Sequence, residues 1–218
     1  MMANNEGETL RRTLSLYELL LNGITTVLFG AALVLTTPFV SVYTSGVSDV
    51  NYHRPLFAVL MIIGETLYCL RSPYGALVQA VGHYRQTKKY ATVEVVLNLG
   101  ISLILVGRYG LVGVVIGTLI SIIYRDLIYL IYCARNILDI SPLVFFKRFF
   151  VTGLCMLLIA MLPGIIPMGE ISSYMQWVIY AIKITVCAMA ITIAVNMAFY
   201  GRLMIMLVRK LKDILLGK

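Results

Sequence analysis

The chain has 218 residues, of which 60% are hydrophobic and 13% are charged, and its mean hydropathy is +0.91. A soluble domain of this length could not bury so much apolar surface, so the composition excludes a soluble globular protein and indicates a membrane protein. The net charge of +8 would suit a nucleic-acid-binding protein, but the placement of the basic residues, described below, favours membrane topology and excludes nucleic acid as the partner.

Six apolar stretches each approach the length of about 20 residues that a helix needs to cross a hydrocarbon core about 30 Å thick. In chain order they are Leu16–Tyr43, Pro55–Val81, Tyr90–Val106, Gly110–Cys133, Leu143–Leu162 and Tyr174–Tyr200. The first is too long for the apolar core of a signal peptide, so we interpret it as a span. We therefore predict an all-α, polytopic membrane protein with six transmembrane helices.

The chain divides into three parts by composition. Residues 1–14 form a polar cytoplasmic lead-in that is disordered or interfacial, residues 15–200 form the six-helix bundle, and residues 201–218 form a basic amphipathic cytoplasmic tail. The tail carries Leu207, Leu211, Ile214 and Leu215 on one helical face, with basic residues between them. This pattern indicates a helix lying on the inner leaflet or, alternatively, the cytoplasmic end of the last span.

Short connections separate the spans. Thr44–Arg54 and Pro167–Ser173 have the composition of outer loops, and Gly82–Lys89 is a short basic inner loop. Gly107–Gly110 is a tight connection that predicts a helical hairpin, and Ser141–Pro142 predicts the start of the fifth span.

The basic residues fix the predicted orientation. With the N-terminus in the cytoplasm, the inner segments carry 13 of the 18 Lys and Arg residues, and the outer loops carry only Arg54 and Arg108. The inner set is Arg11, Arg12, Arg85, Lys88, Lys89, Arg135, Lys147, Arg148, Arg202, Arg209, Lys210, Lys212 and Lys218. This bias predicts that both termini are cytoplasmic and that the basic residues contact anionic lipid.

Two ionisable residues of opposite charge fall at similar depth in different spans. At about 1.5 Å per residue, Glu65 lies roughly 15 Å and Lys183 roughly 14 Å from the outer surface. Because a charge in hydrocarbon is costly, the spacing predicts a Glu65–Lys183 pair near the midplane. The alternatives are that the Lys183 side chain extends to the interface or that the span is shifted.

Arg71 and Arg125 both fall in the predicted cytoplasmic half of their spans. A planar guanidinium suits phosphate recognition, so the two would hold a pyrophosphate in an inward-facing cavity, unless they extend to inner-leaflet phosphates instead. Asp126 adjoins Arg125 but projects about 100° away on a helix, so the two are not expected to pair.

Two further faces carry polar groups. Arg125, Tyr129 and Tyr132 share one helical face, which would line a sugar path or belong to an interfacial aromatic belt. Glu94 and Asn98 share a face of the third span, where they hydrogen-bond a neighbouring helix or take part in ion coupling.

No enzyme chemistry is indicated. The chain shows no nucleophile–base set, phosphate-binding loop or metal constellation, and its four cysteines fall in apolar segments without CxxC spacing, so we expect no catalytic residue, metal or cofactor. Gly110, Gly113 and Gly117 are spaced as a close-packing helix face.

The order of several motifs resembles a known membrane family. They are Tyr74-Gly75, then Val81-Gly82-His83-Tyr84-Arg85-Gln86-Thr87 at the inner turn, then Glu94 with Asn98, then Gly107, Gly110, Gly113, Gly117-Thr118 and Ser121. The order is similar to that of the C-terminal six-helix half of a polysaccharide flippase in the multidrug/oligosaccharidyl-lipid/polysaccharide exporter superfamily. The likeness covers about residues 15–135 by motif and the last two spans by hydropathy.

The resemblance implies one lobe of a two-lobe flippase of the bacterial inner membrane, which translocates a polyprenyl-pyrophosphate-linked oligosaccharide for surface polysaccharide biosynthesis. Its implied partners are that lipid-linked oligosaccharide, membrane lipids, and an N-terminal lobe or a second copy of the chain. Alternatives are a lobe of a multidrug efflux transporter, or a non-transporting assembly partner or truncated gene product.

The predicted topology can be tested by cysteine labelling. In a cysteine-free background, we expect a membrane-impermeant thiol reagent added to intact cells to label single cysteines placed in Thr44–Arg54 and in Glu170–Ser173. Cysteines in Gly82–Lys89 should react only after the membrane is opened. Labelling of Gly82–Lys89 in intact cells would overturn the topology.

Overall fold

A computed structural model describes residues 2–47, 50–167, 169 and 171–215. Its α-helices are α1 (Met2–Tyr43), α2 (Pro55–Ala80), α3 (Tyr84–Tyr109), α4 (Leu111–Cys133), α5 (Leu143–Ala160), the single turn α6 (Leu162–Ile165) and α7 (Tyr174–Leu215). A π-helical turn, Ala134–Leu138, extends α4. Within these residues there is no strand, and six helices are long and apolar enough to cross a membrane, which confirms the predicted all-α class and the predicted number of helices of membrane-spanning length.

The helices extend beyond the apolar stretches that predict them. α1 begins at Met2, within the predicted polar lead-in, and α3 begins at Tyr84, within the predicted basic inner loop. The lead-in, which the sequence analysis predicts to be either disordered or interfacial, is therefore helical from Met2 onward. Hydropathy marks only the part of a helix that suits hydrocarbon, whereas Arg, Lys, Gln and Glu prolong a helix that is already formed.

Glycines with positive φ make two of the turns. Gly82 (φ 73°) follows α2, where Gly82 N–H donates to Gln79 O and His83 N–H donates to Val78 O. This pair of bonds is a Schellman motif, which satisfies the last carbonyls of the helix. Gly110 (φ 56°) joins α3 to α4, as the hairpin prediction requires.

The helices form a bundle with α1 near its centre. α1 packs against α2, α5 and α7, and α2 packs in turn against α4. α3 lies at the edge of the bundle and packs almost entirely on α4. The order across the bundle thus separates α3 and α4 on one side from α5 and α7 on the other.

Two apolar clusters hold these helices together. The first contains Tyr74, Leu130, Cys133 and Phe145, and it lies toward the predicted cytoplasmic side of α2, α4 and α5. Tyr74 and Phe145 meet edge to face with ring centroids 5.0 Å apart. The second cluster joins α1, α5 and α7 nearer the predicted outer side, and includes Val34, Leu35, Ile159, Tyr180, Ile184 and Ala188.

The glycine face of α4 brings α3 unusually close. A Cβ added at Gly113 would lie 2.5 Å from the Leu105 carbonyl oxygen of α3, and one added at Gly117 would collide with Ser102. The interpretation of these glycines as a close-packing face is confirmed, because only a residue without a side chain fits there.

α7 contains a break at the end of the predicted last span. Tyr200 has non-helical dihedrals (φ −135°, ψ 30°), after which the helix resumes and continues to Leu215. The break coincides with the predicted boundary between bundle and tail. Of the residues named for the loops and the tail, Ser48, Asp49, Glu170 and Lys218, together with the side chains of Ile214 and Leu215, lie outside what is described.

Large apolar side chains cover the outside of the bundle. On α3, Leu103 is 65% exposed and Ile104 is 77% exposed, and Thr87 is the one residue of this fully described helix that is buried. A soluble protein rarely exposes apolar patches of this extent, so the surface suits a lipid environment.

We expect Gly113→Ala to destabilise the bundle, because the new methyl group must displace backbone of α3. Overpacking of this kind costs about 1–3 kcal/mol of unfolding free energy. Gly107→Ala is the matched control, since its Cβ would meet no atom within 4 Å. Thermal unfolding of both variants in detergent provides the measurement, and equal melting temperatures would contradict the close approach of α3 and α4.

Candidate functional site

A network of four charged side chains links α2, α3 and α4. Arg71 Nη1 of α2 donates to Glu94 Oε1 at 3.0 Å, and Arg125 Nη1 of α4 donates to Glu94 Oε2 at 2.9 Å. Arg71 Nη1 also lies 3.3 Å from Asp126 Oδ1. A single carboxylate on α3 therefore holds two guanidinium groups next to each other.

These four side chains are mostly, but not completely, buried. The Arg71, Arg125 and Glu94 side chains are 11%, 12% and 21% exposed, whereas the Asp126 side chain is 5% exposed. Two positive and two negative charges balance, which lowers the cost of holding them in an apolar bundle. The network is thus neutral as a unit but keeps an accessible edge at Glu94.

Tyrosine rings pack over both guanidinium groups. Arg125 Nη2 donates to Tyr129 Oη at 2.8 Å, and the Arg125 guanidinium carbon lies 4.4 Å from the centroid of that ring. The Arg71 guanidinium carbon lies 5.0 Å from the Tyr68 centroid. Such cation–π contacts orient the planar groups and are stronger where water is excluded.

Hydrogen-bonding capacity remains unused in this network. Both Asp126 carboxylate oxygens and Arg125 Nε are buried and make no hydrogen bond with the residues that the structure describes. Buried polar atoms of this kind call for a partner such as water or a ligand. The network can therefore accept both a donor, at Asp126, and an acceptor, at Arg125.

Asn98 lies one helical turn from Glu94 and has a packing role. Its Oδ1 accepts from Ser102 Oγ at 3.2 Å and lies 3.4 Å from Thr118 Oγ1 of α4. The amide thus adds a polar link to the close contact between α3 and α4. This is the bond to a neighbouring helix that was one of the two expectations for the Glu94–Asn98 face.

Tyr132 is separated from the arginines by its own contacts. Its Oη lies 3.0 Å from His83 Nδ1, and its ring meets the His83 and Tyr90 rings at centroid distances of 6.0 and 6.5 Å. Arg125 and Tyr129 therefore contact each other as the shared face predicts, whereas Tyr132 packs on the turn between α2 and α3.

Glu65 and Lys183 are not brought together. Both side chains are exposed on the outside of the bundle, and among the described residues neither takes part in a salt bridge. The predicted pair is not formed because equal depth places two residues at one level without placing them on facing sides of their helices.

A buried ion pair on α1 and α5 escaped the sequence analysis. Glu18 Oε2 and Arg148 Nη1 form a salt bridge, and Arg148 Nη2 donates to Ser15 Oγ at 3.0 Å. Glu18 is 1% exposed and Arg148 is 9% exposed. The count of inner basic residues treats Arg148 as an interfacial charge, but it is a buried partner of the first span.

Sequence signals for this pair were present. Glu18 is the one acidic residue of the stretch Leu16–Tyr43, and Asn22 follows it one turn later on the same face. A small cavity beside the pair is lined in part by Asn22, Asn196 and Tyr200, and buried oxygens of Asn22 and Tyr200 make no hydrogen bond with described residues. The isolated acidic residue indicates from sequence alone that this span carries a charge in need of a partner. The partner itself can be identified only from the packing of α1 on α5.

Comparison with protein families, with curated proteins and with solved structures finds no match for this chain. The geometry of the two ionic sites therefore carries the functional argument together with the motif resemblance.

The Glu18–Arg148 pair should show strong energetic coupling. We expect Glu18→Leu or Arg148→Met alone to cost about 3–5 kcal/mol of unfolding free energy, because each leaves an uncompensated buried charge. The double variant should recover most of this loss. Unfolding in detergent measures the cycle, and the control cycle Glu65→Gln with Lys183→Met should be additive within about 0.5 kcal/mol. Additivity at Glu18 and Arg148 would contradict the pairing.

Proposed function

We propose that this chain is one six-helix lobe of a flippase of the bacterial inner membrane that moves a polyprenyl-pyrophosphate-linked oligosaccharide. The observation that carries the proposal is the placement of Arg71 and Arg125 side by side on Glu94, at 3.0 and 2.9 Å. The motif resemblance and the six helices of membrane-spanning length support it.

The arginines are the proposed contact for the diphosphate. Two planar guanidinium groups held next to each other match the adjacent phosphates of a pyrophosphate, which each accept forked hydrogen bonds. In the structure, the two carboxylate oxygens of Glu94 contact these guanidinium groups. The substrate diphosphate would replace Glu94, whose side chain is the most exposed of the four.

The oligosaccharide is proposed to extend toward the cytoplasmic turn. Tyr129, and beyond it Tyr132 with Tyr90, place aromatic rings along this direction. Aromatic faces with a hydroxyl at one end suit sugars, which present both apolar and polar surfaces. In the proposal, these aromatic side chains determine which class of glycan is bound. The arginines contact only the diphosphate, which all such substrates have in common.

An opposing lobe is part of the proposal. Alternating access needs two units that rock around a central site, and one six-helix bundle supplies only one of them. The partner is an N-terminal lobe or a second copy of this chain, and both termini lie in the cytoplasm. We accordingly expect no flipping by the monomer alone in liposomes.

A second candidate has an observation in its favour. The four ionisable side chains of the network pair with one another, so Arg71 and Arg125 form ion pairs without a ligand. A non-transporting assembly partner would use such a network purely to hold α2, α3 and α4 together. The two candidates differ in what happens when the internal carboxylate is neutralised.

Binding of a short-chain polyprenyl diphosphate to the purified chain separates these candidates. For the flippase lobe, we expect Arg71→Ala and Arg125→Ala each to weaken binding about tenfold, the loss of one charge-assisted hydrogen bond, with partial rescue by Lys. Glu94→Gln should tighten binding because it frees both guanidinium groups. Arg85→Ala, which removes an exposed charge on the same predicted side, is the matched control.

The opposite pattern would refute the proposal. If both alanine variants bind the diphosphate as the wild type does, and Glu94→Gln only lowers the melting temperature, the network is structural. Folding of every variant is monitored by size-exclusion chromatography, so that loss of binding is separated from loss of structure.

A further inference from the structure

An apolar groove runs along the surface between α1 and α7, away from the arginine network. Its volume is about 360 Å³, and all of its lining residues except Thr192 and Asn196 are apolar or glycine. On α1 the lining extends from Leu19 to Leu28, and on α7 it includes Met204 and Leu207, which follow the break at Tyr200. The α1 residues of the bundle therefore form one side of the groove, and the α7 residues of the tail form one end of it.

The length of the groove matches one leaflet. Nine residues separate Leu19 from Leu28, which corresponds to roughly 14 Å along a helix at about 1.5 Å per residue. Half of a hydrocarbon core about 30 Å thick is about 15 Å. In the proposed orientation the groove begins at the cytoplasmic side, so its α1 side is about as long as the acyl region of the inner leaflet is deep.

A positive charge lies at the cytoplasmic end of the groove. Arg12 precedes Leu19 by two helical turns on the same side of α1, and its Nη2 lies 3.3 Å from Met206 Sδ, between the lining residues Met204 and Leu207. Arg12 is exposed and forms no salt bridge with any described residue. A thioether sulfur is a weak acceptor, so the Met206 contact does not neutralise the guanidinium charge.

We propose that the groove is a binding site for one anionic phospholipid of the inner leaflet. One acyl chain lies between α1 and α7, and the lipid phosphate binds the Arg12 guanidinium. Apolar burial holds the chain in place, and charge complementarity at the end of the groove selects an anionic headgroup. This site is separate from the proposed diphosphate site, and it depends only on the cytoplasmic position of the N-terminus.

Gly23 offers a way to fill the groove without disturbing the bundle. It lines the groove, and a Cβ built on it meets no atom within 4 Å. Leu also has a higher helix propensity than Gly, so Gly23→Leu should not unfold α1. Gly100→Leu is the matched control, because Gly100 is exposed on α3 and its Cβ likewise meets nothing within 4 Å.

Native mass spectrometry of the delipidated chain in detergent tests the proposal. The probes are phosphatidylglycerol, phosphatidylcholine with the same acyl chains, and a polyprenyl phosphate. We expect the first phosphatidylglycerol to bind about fivefold more tightly than phosphatidylcholine, the preference that one basic residue provides. Arg12→Gln should abolish this preference, Gly23→Leu should weaken binding of both phospholipids, and Gly100→Leu should change neither.

Three results would overturn the site. Equal binding of the two phospholipids to the wild type would remove the role of Arg12, and unchanged binding to Gly23→Leu would remove the role of the groove. Tighter binding of the polyprenyl phosphate than of phosphatidylglycerol, lost in Gly23→Leu, would assign the groove to an isoprenoid chain instead. The outcomes of this test do not depend on whether the diphosphate proposal is correct.

Discussion

Compensation of buried charge is the constraint on which this bundle depends. A lone charge near the centre of a bilayer costs about 3 kcal/mol or more on insertion scales, and removing one member of a buried pair is more damaging than removing both. Glu94 meets this constraint for Arg71 and Arg125, and Glu18 meets it for Arg148. Because each pair joins different helices, the same bonds that neutralise charge also select which helices are neighbours.

The two ionic sites divide the bundle between them. The Glu94 network links α2, α3 and α4, whereas the Glu18–Arg148 pair links α1 to α5 beside a small cavity that polar groups of α7 also line. Packing between α1 and α2, together with the apolar cluster of α2, α4 and α5, joins the two halves. An apolar contact has little orientational preference, so we expect the ionic sites to add specificity to that of the close α3–α4 packing. The proposed exchange of Glu94 for a substrate phosphate uses one such site as a ligand position.

Hydropathy and the placement of the glycines were sufficient for the fold class, the six helices of membrane-spanning length and the tight hairpin at Gly110, because these depend on local composition and on helix length. Lateral placement was harder to predict. Arg71 and Arg125 were singled out, but their joint partner Glu94 was considered separately, since sequence gives depth and helical face without the neighbour. For the same reason, Glu65 and Lys183 share a predicted depth without contacting each other. Glu18 pairs with Arg148, which the sequence analysis counts among the inner basic residues.

The close contact at Gly113 and Gly117 makes the two ion pairs of Glu94 unequal. α3 and α4 touch backbone to backbone there, so the hairpin behaves as a single rigid body, and the Glu94–Arg125 bond is internal to it. The Glu94–Arg71 bond instead crosses to α2, which joins α3 through the short Gly82 turn. Any sliding of the hairpin along α2 must therefore break the second bond while the first stays intact. Glu94, Arg125 and Asp126 would move together with the hairpin, and Arg71 would be the first of the two arginines to become free to accept an anion.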